Sequence, residues 1–131
     1  MMCLRTILLA SLAVLSLAGP PAWAGAAEYA FEPVAGELRT GAGQELAVRL
    51  VHKPTGRPVP EAVIFRTRLD MSPDQMEAMT AKHEPVPERE PGVYRFKADL
   101  TMEGGWALKL MAKVQGERET VRGSVVFQAK E

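Results

Sequence analysis

The pattern of apolar and polar positions predicts a chain built from β-strands. Alternation with a period of two recurs in the segments 45–52, 62–70, 93–100, 106–114 and 120–129. In each segment one face is apolar and the other is charged or polar, which is typical of a half-buried antiparallel strand. In the second segment the alternation predicts that Val63, Phe65, Thr67 and Leu69 share the buried face.

Turn-forming residues separate these segments at near-regular intervals. Lys53-Pro-Thr-Gly-Arg-Pro58, Pro91-Gly92, Thr101-Met-Glu-Gly-Gly105 and Gln115-Gly-Glu117 each follow or precede a predicted strand. A short alternating segment at 28–31 adds a first edge strand. Short strands joined by turns rich in glycine and proline predict an all-β sandwich of about seven antiparallel strands.

The segment Met71–His83 breaks the strand pattern. Ser72-Pro73-Asp74-Gln75 has the order of a helix start, with serine as N-cap, proline at the first helical position and glutamine at N3. Residues 76–82 contain no helix breaker, and prolines at 85 and 87 end the segment. We therefore expect one short helix, at about residues 73–82, inserted between two strands.

Such a helix would gather soft metal donors. Met76, Met79 and His83 are spaced i, i+3 and i+7, which places them on one helix face. Thioether sulfur combined with imidazole suits Cu(I) or Ag(I) better than zinc or magnesium. Met71 precedes the helix and is a supporting member of the predicted site.

The later turn extends this candidate site. Met102 offers a further thioether, and the indole of Trp106 attracts a nearby cation. The alternative is that the methionines simply pack the helix onto the core, since methionine is an adaptable gap filler. Trp106 would then be the core tryptophan of the sandwich.

The N-terminus has the order of a secretory signal peptide. Arg5 precedes an uncharged apolar run at 6–18, and Ala22-Trp23-Ala24 supplies the small residues of a cleavage site. The run is shorter than the roughly 20 residues that span a bilayer. We expect residues 1–24 to be the signal and 25–131 one domain in the periplasm, with cleavage after Ala26 or an uncleaved anchor as alternatives.

The amino-acid composition of residues 25–131 limits the kinds of partner they are expected to bind. They contain 15 Lys and Arg against 16 Asp and Glu, with no cysteine. A balance near zero with interspersed signs disfavours nucleic acid or an anionic membrane as partner, and we expect no direct membrane insertion after cleavage. Soft-metal chemistry would use thioether and imidazole in place of thiolate.

Several motifs together resemble a known family. The strand end Asp70-Met71-Ser72-Pro73, the turn Pro91-Gly-Val-Tyr94 and the turn Met102-Glu-Gly-Gly-Trp106 are similar to the YtkA-like domain of the FixH family. The resemblance implies an immunoglobulin-like sandwich and an accessory role in copper handling. It points to Met76, Met79, His83 and Met102 as ligands, with Met71 and Trp106 supporting them. The chain departs from FixH itself in lacking a full-length membrane anchor.

We therefore expect a non-enzymatic periplasmic accessory protein or chaperone. It would bind copper as Cu(I), or silver, and serve an efflux system or an oxidase-assembly protein. The donor set also resembles that of a periplasmic copper chaperone of another fold, which is an analogy of chemistry alone. The alternative is a non-metal interaction module that docks onto such a partner through its Met-rich helix. A hydrolase is disfavoured, because residues 25–131 lack cysteine and a Gly-x-Ser-x-Gly motif.

Overall fold

Ten β-strands and two 3-10 helices make up the described part of the chain. The computed structural model describes residues 26–35 and 37–131, so the predicted signal peptide, residues 1–24, lies outside the described residues. The strands are β1 (Tyr29–Pro33), β2 (Glu37–Arg39), β3 (Gly41–His52), β4 (Arg57–Pro58), β5 (Val63–Met71), β6 (Met76–Thr80), β7 (His83–Glu90), β8 (Val93–Leu100), β9 (Gly104–Lys113) and β10 (Val121–Lys130). The 3-10 helices are Ala26–Glu28 and Ser72–Asp74.

The strands form two sheets that face each other across one core. In sheet A the order is β1-β3-β8-β7, with β4 pairing the end of β3. In sheet B the order is β2-β10-β9-β5-β6. Neighbouring strands are antiparallel, apart from the parallel pair β2 and β10. The prediction of an all-β sandwich is confirmed, although the strands number ten where about seven were expected.

The core is formed by the inward side chains of both sheets. Trp106, Leu108 and Phe127 of sheet B and Leu46 and Val48 of sheet A are all fully buried. They belong to one hydrophobic cluster, as alternation along each strand predicts. Burial of this apolar surface is the main favourable term for a fold of this kind.

Because of a β-bulge, the buried face predicted for β5 is only partly right. Ile64 is paired with Ala112 and Arg66 with Met111, so Phe65 is an extra residue on β5. One extra residue reverses which side chains point inward. As a result Val63 and Phe65 are exposed, whereas Thr67 and Leu69 keep the inward orientation that the sequence predicts.

The helix predicted at about residues 73–82 is wrong. The segment starts as a 3-10 helix at Ser72–Asp74 and stops at Gln75, which has the left-handed φ of 60°. Its N-cap is Met71 and has no side-chain hydrogen bond, so the expected capping box does not form. A helix this short is marginal by itself. Residues 76–80 instead extend sheet B as β6.

Strand β7 occupies the segment in which prolines were expected to end the helix. Pro85 and Val86 lie within β7, at the edge of sheet A, where they are paired with Phe96 and Arg95 of β8. Proline is tolerated on an edge strand because one side of that strand carries no ladder. Within the described residues, no helix is long and apolar enough to cross a membrane.

Candidate functional site

Met71 and Met76 lie opposite each other at the end of β5. They are Cα partners in the short antiparallel pairing of β5 with β6. Met71 is fully buried in the core cluster, and Met76 packs against the same cluster while partly exposed. Cα partners in an antiparallel pair are about 5 Å apart, so the two side chains leave the backbone at neighbouring positions of the same end of the sheet.

The turn before β9 approaches the same end of the sandwich. A Cβ added to Gly104 would lie 2.8 Å from the terminal methyl carbon of Met71, so this glycine directly adjoins the Met71 side chain. Met102 is two residues earlier, and its Cα therefore lies within about 7.6 Å of that of Gly104. Its side chain is 40% exposed. The fold thus brings the Met102 turn beside Met71.

Trp106 belongs to the core at this end of the sandwich. Its ring is fully buried, and its Nε1–H donates a hydrogen bond of 3.1 Å to the carbonyl oxygen of Met102. Burying an indole is favourable only when its N–H finds an acceptor. The bond therefore ties the Met102 turn to the tryptophan that was expected to support the site.

Asp74 holds the 3-10 helix against β9. Its carboxylate accepts a hydrogen bond of 3.1 Å from the backbone N–H of Gly105. Only glycine fits the neighbouring position, because a Cβ on Gly104 would meet Asp74 as well as Met71. The acidic residue that resembled a helix-start signal is thus used in a tertiary contact.

Met79 lies on an irregular part of β6. Thr80 is paired with Asp70 and Met76 with Met71, so residues 77–79 face no partner on β5. Arg68 fixes this bulge by donating a hydrogen bond of 2.8 Å from Nη2 to the carbonyl oxygen of Glu77. Met79 is 37% exposed. Met76 and Met79 therefore do not share a helix face. Both lie on strand β6, Met76 at a position paired with β5 and Met79 at an unpaired one.

His83 is hydrogen-bonded to Thr67 and Ala81, and not to the methionines. Its Nδ1–H donates to the carbonyl oxygen of Ala81 at 3.0 Å, and its Nε2 accepts from the Thr67 hydroxyl at 2.6 Å. Thr67 is four residues before Met71 on β5, or about 13 Å along an extended strand. Both ring nitrogens are thus already hydrogen-bonded, and the imidazole joins the two sheets.

Asp70 is a buried carboxylate that the sequence reasoning missed. Its side chain is fully buried and accepts hydrogen bonds from Arg68 Nε at 2.8 Å, Lys109 Nζ at 3.0 Å and the Ser72 backbone N–H at 3.0 Å. Burial opposes ionisation, but the hydrogen bonds from Ser72, Arg68 and Lys109 outweigh it and hold the pKa of Asp70 below its ordinary value. The spacing Asp-x-Ser, typical of an Asx turn, was the available signal.

A cavity of about 380 Å³ opens between β5 and the β7–β8 pair. Thr67 and Phe96 line it, together with Arg95, whose Nε is buried without a hydrogen-bond partner. No methionine lines the cavity, so it is separate from the Met71 end. Over residues 26–35 and 37–131, no group of three or more His, Cys, Asp or Glu side chains is placed to hold a metal ion.

Two solved structures are similar to the chain at low identity. The ZirS C-terminal domain is 12% identical, with a TM-score of 0.46, over 80% of this chain and 67% of that chain. A conjugative transposon lipoprotein from Bacteroides eggerthii DSM 20697 is also 12% identical, with a TM-score of 0.34, over 79% of this chain and 98% of that chain. No curated protein matches the sequence.

The family comparison covers most of the sandwich. The YtkA-like family matches residues 24–111, which include every strand from β1 to β8 and most of β9. The match contains the Met71 segment and the Met102 turn, on which the resemblance was first based. The chain therefore belongs to the YtkA-like family.

Proposed function

We propose that this protein is a periplasmic accessory protein or chaperone that binds Cu(I) or Ag(I) and passes the ion to an efflux or copper-delivery partner. The proposed ligands are the thioethers of Met71, Met76 and Met102. Trp106 supports them from the core. The periplasmic location rests on the predicted signal peptide, and the relation to copper rests on the donor set and on the resemblance to FixH-family domains.

The single observation that carries the proposal is the convergence of three methionines at one end of the sandwich. Met71 and Met76 are strand partners. Met102 is in the turn that packs against Met71 through Gly104. The three range from fully buried through partly exposed to 40% exposed, so the proposed donors extend from the core to the surface.

The donor chemistry favours a monovalent soft ion as cargo. Neutral thioethers carry no charge to balance a divalent cation, and their polarisable sulfur matches Cu(I) and Ag(I). Trp106 adds an aromatic ring whose Nε1–H edge is bonded to the Met102 backbone, and an indole attracts a nearby cation. In this arrangement Met79, exposed on the β6 bulge, serves as an outer ligand that first meets the incoming ion.

His83 has a structural role in this proposal. Its two hydrogen bonds, to Thr67 and Ala81, would both have to break before either nitrogen turned toward a metal. We therefore assign the imidazole to the joining of the sheets. This changes the ligand set expected from the sequence, in which His83 stood beside Met76 and Met79.

A second candidate function is docking onto a protein partner without metal. Met79 and Met102 are 37% and 40% exposed, and exposed methionines suit adaptable protein contacts. Without the predicted helix, the docking surface would be the β6 bulge together with the Met102 turn. In this alternative copper makes no difference to partner binding.

Competition titration distinguishes the two functions. Purified protein is titrated with Cu(I) against a chromophoric chelator, and the paired substitution Met76→Leu with Met102→Leu is compared with wild type. Leucine keeps the apolar volume but removes the sulfur. We expect the affinity for Cu(I) to fall at least tenfold, whereas Met111→Leu, a methionine on the outer face of β9, leaves it unchanged. Equal affinities for wild type and the paired variant would rule out the proposed site.

A further inference from the structure

The outer face of sheet B concentrates positive charge. Cα partners in neighbouring strands point to the same side of a sheet, so the pairing of β5, β9 and β10 identifies the outward residues. The cationic members of this set, which we call the basic face, are Arg66, Arg68, Lys109, Lys113 and Arg122.

These five side chains form adjacent rows across three strands. One row is Arg122, Met111 and Arg66, and the next places Lys109 beside Arg68. Lys113 completes the group two residues along β9. With strands about 4.8 Å apart and about 3.3 Å per residue, the rows fit within an area of roughly 10 by 13 Å.

Little negative charge neutralises this face. Asp70 is its carboxylate, fully buried between Arg68 and Lys109 and ion-paired with both. Among the described residues, Arg66, Lys113 and Arg122 are in none of the ion pairs. The net charge of the basic face is therefore +4.

The rest of the domain has the opposite sign. Residues 26–131 contain 15 Lys and Arg and 16 Asp and Glu. Removing the basic face and Asp70 leaves 10 cationic and 15 anionic side chains, a net charge of −5. The near-zero total that disfavoured an anionic partner thus conceals an uneven distribution of charge, with +4 on this face and −5 over the rest of the domain. Such a separation of positive from negative charge orients a protein as it approaches a charged surface.

Exposed apolar side chains border the cations. Val63, turned outward by the bulge in β5, is opposite Lys113 and is 62% exposed. Phe65, the extra residue of the bulge, is 50% exposed at the edge of this face, where it also lines the cavity beside β7. Val126 of β10, on the same face, is 46% exposed. A flat surface that interleaves long cationic side chains with apolar ones suits an anionic plane with an apolar interior.

We propose that the basic face docks onto an anionic phospholipid surface. The cations are spread over a plane and do not converge on one pocket, so they match many headgroup phosphates better than a single small anion. A second copy of the chain is a poor occupant, because two such faces would repel each other. Val63 would enter the headgroup boundary beside Lys113. This inference is independent of the metal site, which lies at the Met71 end of β5.

Vesicle co-sedimentation tests the proposal. The purified protein is mixed at low salt with phosphatidylcholine vesicles that contain either no phosphatidylglycerol or about one third of it. We expect binding to the anionic vesicles alone, and release as added salt screens the charges. Since each basic residue near such a surface strengthens binding roughly fivefold, Arg66→Gln with Arg122→Gln should weaken binding about 30-fold.

A matched variant controls for net charge. Arg49→Gln with Lys97→Gln removes the same charge from the outer face of sheet A, and we expect it to bind like wild type. Thermal unfolding of both variants verifies that they fold. Absence of binding to the anionic vesicles would overturn the proposal, as would equal weakening by the two variants. Binding to soluble polyglutamate but not to vesicles would also overturn it, and would identify an acidic protein as the partner.

Discussion

The hydroxyl of Thr67 and Nε2 of His83 lie 2.6 Å apart, so one hydrogen bond joins β5 of sheet B to β7 of sheet A. Nδ1–H of the same ring is bonded to the carbonyl oxygen of Ala81, in the crossing from β6 to β7. The histidine that resembled a metal ligand is therefore a link between the sheets at the open side of the sandwich. The contacts of this histidine, of Asp70 and of the methionine end each have measurable consequences.

Replacing Thr67 with valine should destabilise the fold without changing metal affinity. The substitution keeps the side-chain shape but leaves His83 Nε2 without its donor, which costs about 1 kcal/mol of unfolding free energy. Chemical denaturation measures the loss. Thr120→Val is the control, because the Thr120 side chain has no hydrogen bond in the described part of the chain. If Thr67→Val instead strengthened Cu(I) binding tenfold, the released Nε2 of His83 would be a ligand.

Replacing Asp70 with asparagine should destabilise the protein near neutral pH. Breaking a buried ion pair costs about 3 to 5 kcal/mol. Arg68 and Lys109 are 53% and 42% exposed, however, so solvent screening lowers the expected loss to about 2 kcal/mol. Equilibrium denaturation at pH 7 measures it, with Asp99→Asn as a matched control at a less buried carboxylate.

The same carboxylate makes stability depend on acid. The pKa of Asp70 is lower in the folded state than its ordinary value of 3.8, so the unfolded chain binds more protons. The contribution of Asp70 is therefore fully present above about pH 4 and is lost as the pH falls toward its folded pKa. Below pH 4, the unfolding free energy of wild type should decline more steeply than that of Asp70→Asn. Parallel pH profiles for the two proteins would contradict this.

Adding one methyl group at Gly104 should disrupt the methionine end. Gly104 has a φ of 131°, and its Cβ would collide with Met71 and Asp74. Backbone strain and overlap together should cost more than 2 kcal/mol for Gly104→Ala. Gly116→Ala is the matched control: its φ of 88° is also strained, but nothing lies within 4 Å. It should cost about 1 kcal/mol. Thermal unfolding compares the two variants, and similar losses would contradict close packing at Gly104.

The fluorescence of Trp106 should report the metal. Trp106 is bonded to the Met102 carbonyl and is fully buried, so an ion held by Met102 would lie near the indole. Trp106 is the only tryptophan in residues 25–131, so in the mature domain Cu(I) should quench the emission with saturation at one equivalent. Met102→Leu should abolish the quenching. Quenching that persists in that variant would place the ion elsewhere.

Much of the fold follows from alternation alone. The predicted boundaries are close to the observed ones for β3, β8, β9 and β10. Every end of these four strands except the start of β3 lies within two residues of the predicted end, because each strand has one face in the core. Strands that carry little burial were missed. The three-residue β2 has one partly buried side chain, and the β7 edge contains two prolines that indicate a break when read alone.

The methionine segment shows where local signals fail. Ser72-Pro73-Asp74 does begin a helical turn, but the tertiary contact from Asp74 to Gly105 uses the acidic side chain. Pairing of Met76 with Met71 then extends the sheet. The first contact joins residues that are distant in the sequence and the second depends on strand register, so helix propensity predicts neither of them. The bulge at Phe65 is equally invisible, since alternation assumes an unbroken register.

Of the predicted ligands, the fold brings some together and separates others. Met71, Met76 and the Met102 turn meet at one end, supported by Trp106. His83 lies at the crossing between the sheets. The sequence pattern placed the thioethers on one face of a helix, whereas the fold places them on a strand pair and a turn. The proposed site therefore keeps the predicted soft donors and replaces the helix face with a strand pair and a turn.

X-ray absorption at the copper edge tests the central proposal most directly. The purified protein is loaded with one equivalent of Cu(I), and the scattering shells around the metal are counted. Ligation by Met71, Met76 and Met102 predicts a first shell of about three sulfur atoms, reduced to one in Met76→Leu with Met102→Leu. It also predicts no multiple scattering from an imidazole ring. A first shell dominated by nitrogen or oxygen, with imidazole scattering that disappears in His83→Ala, would contradict the account.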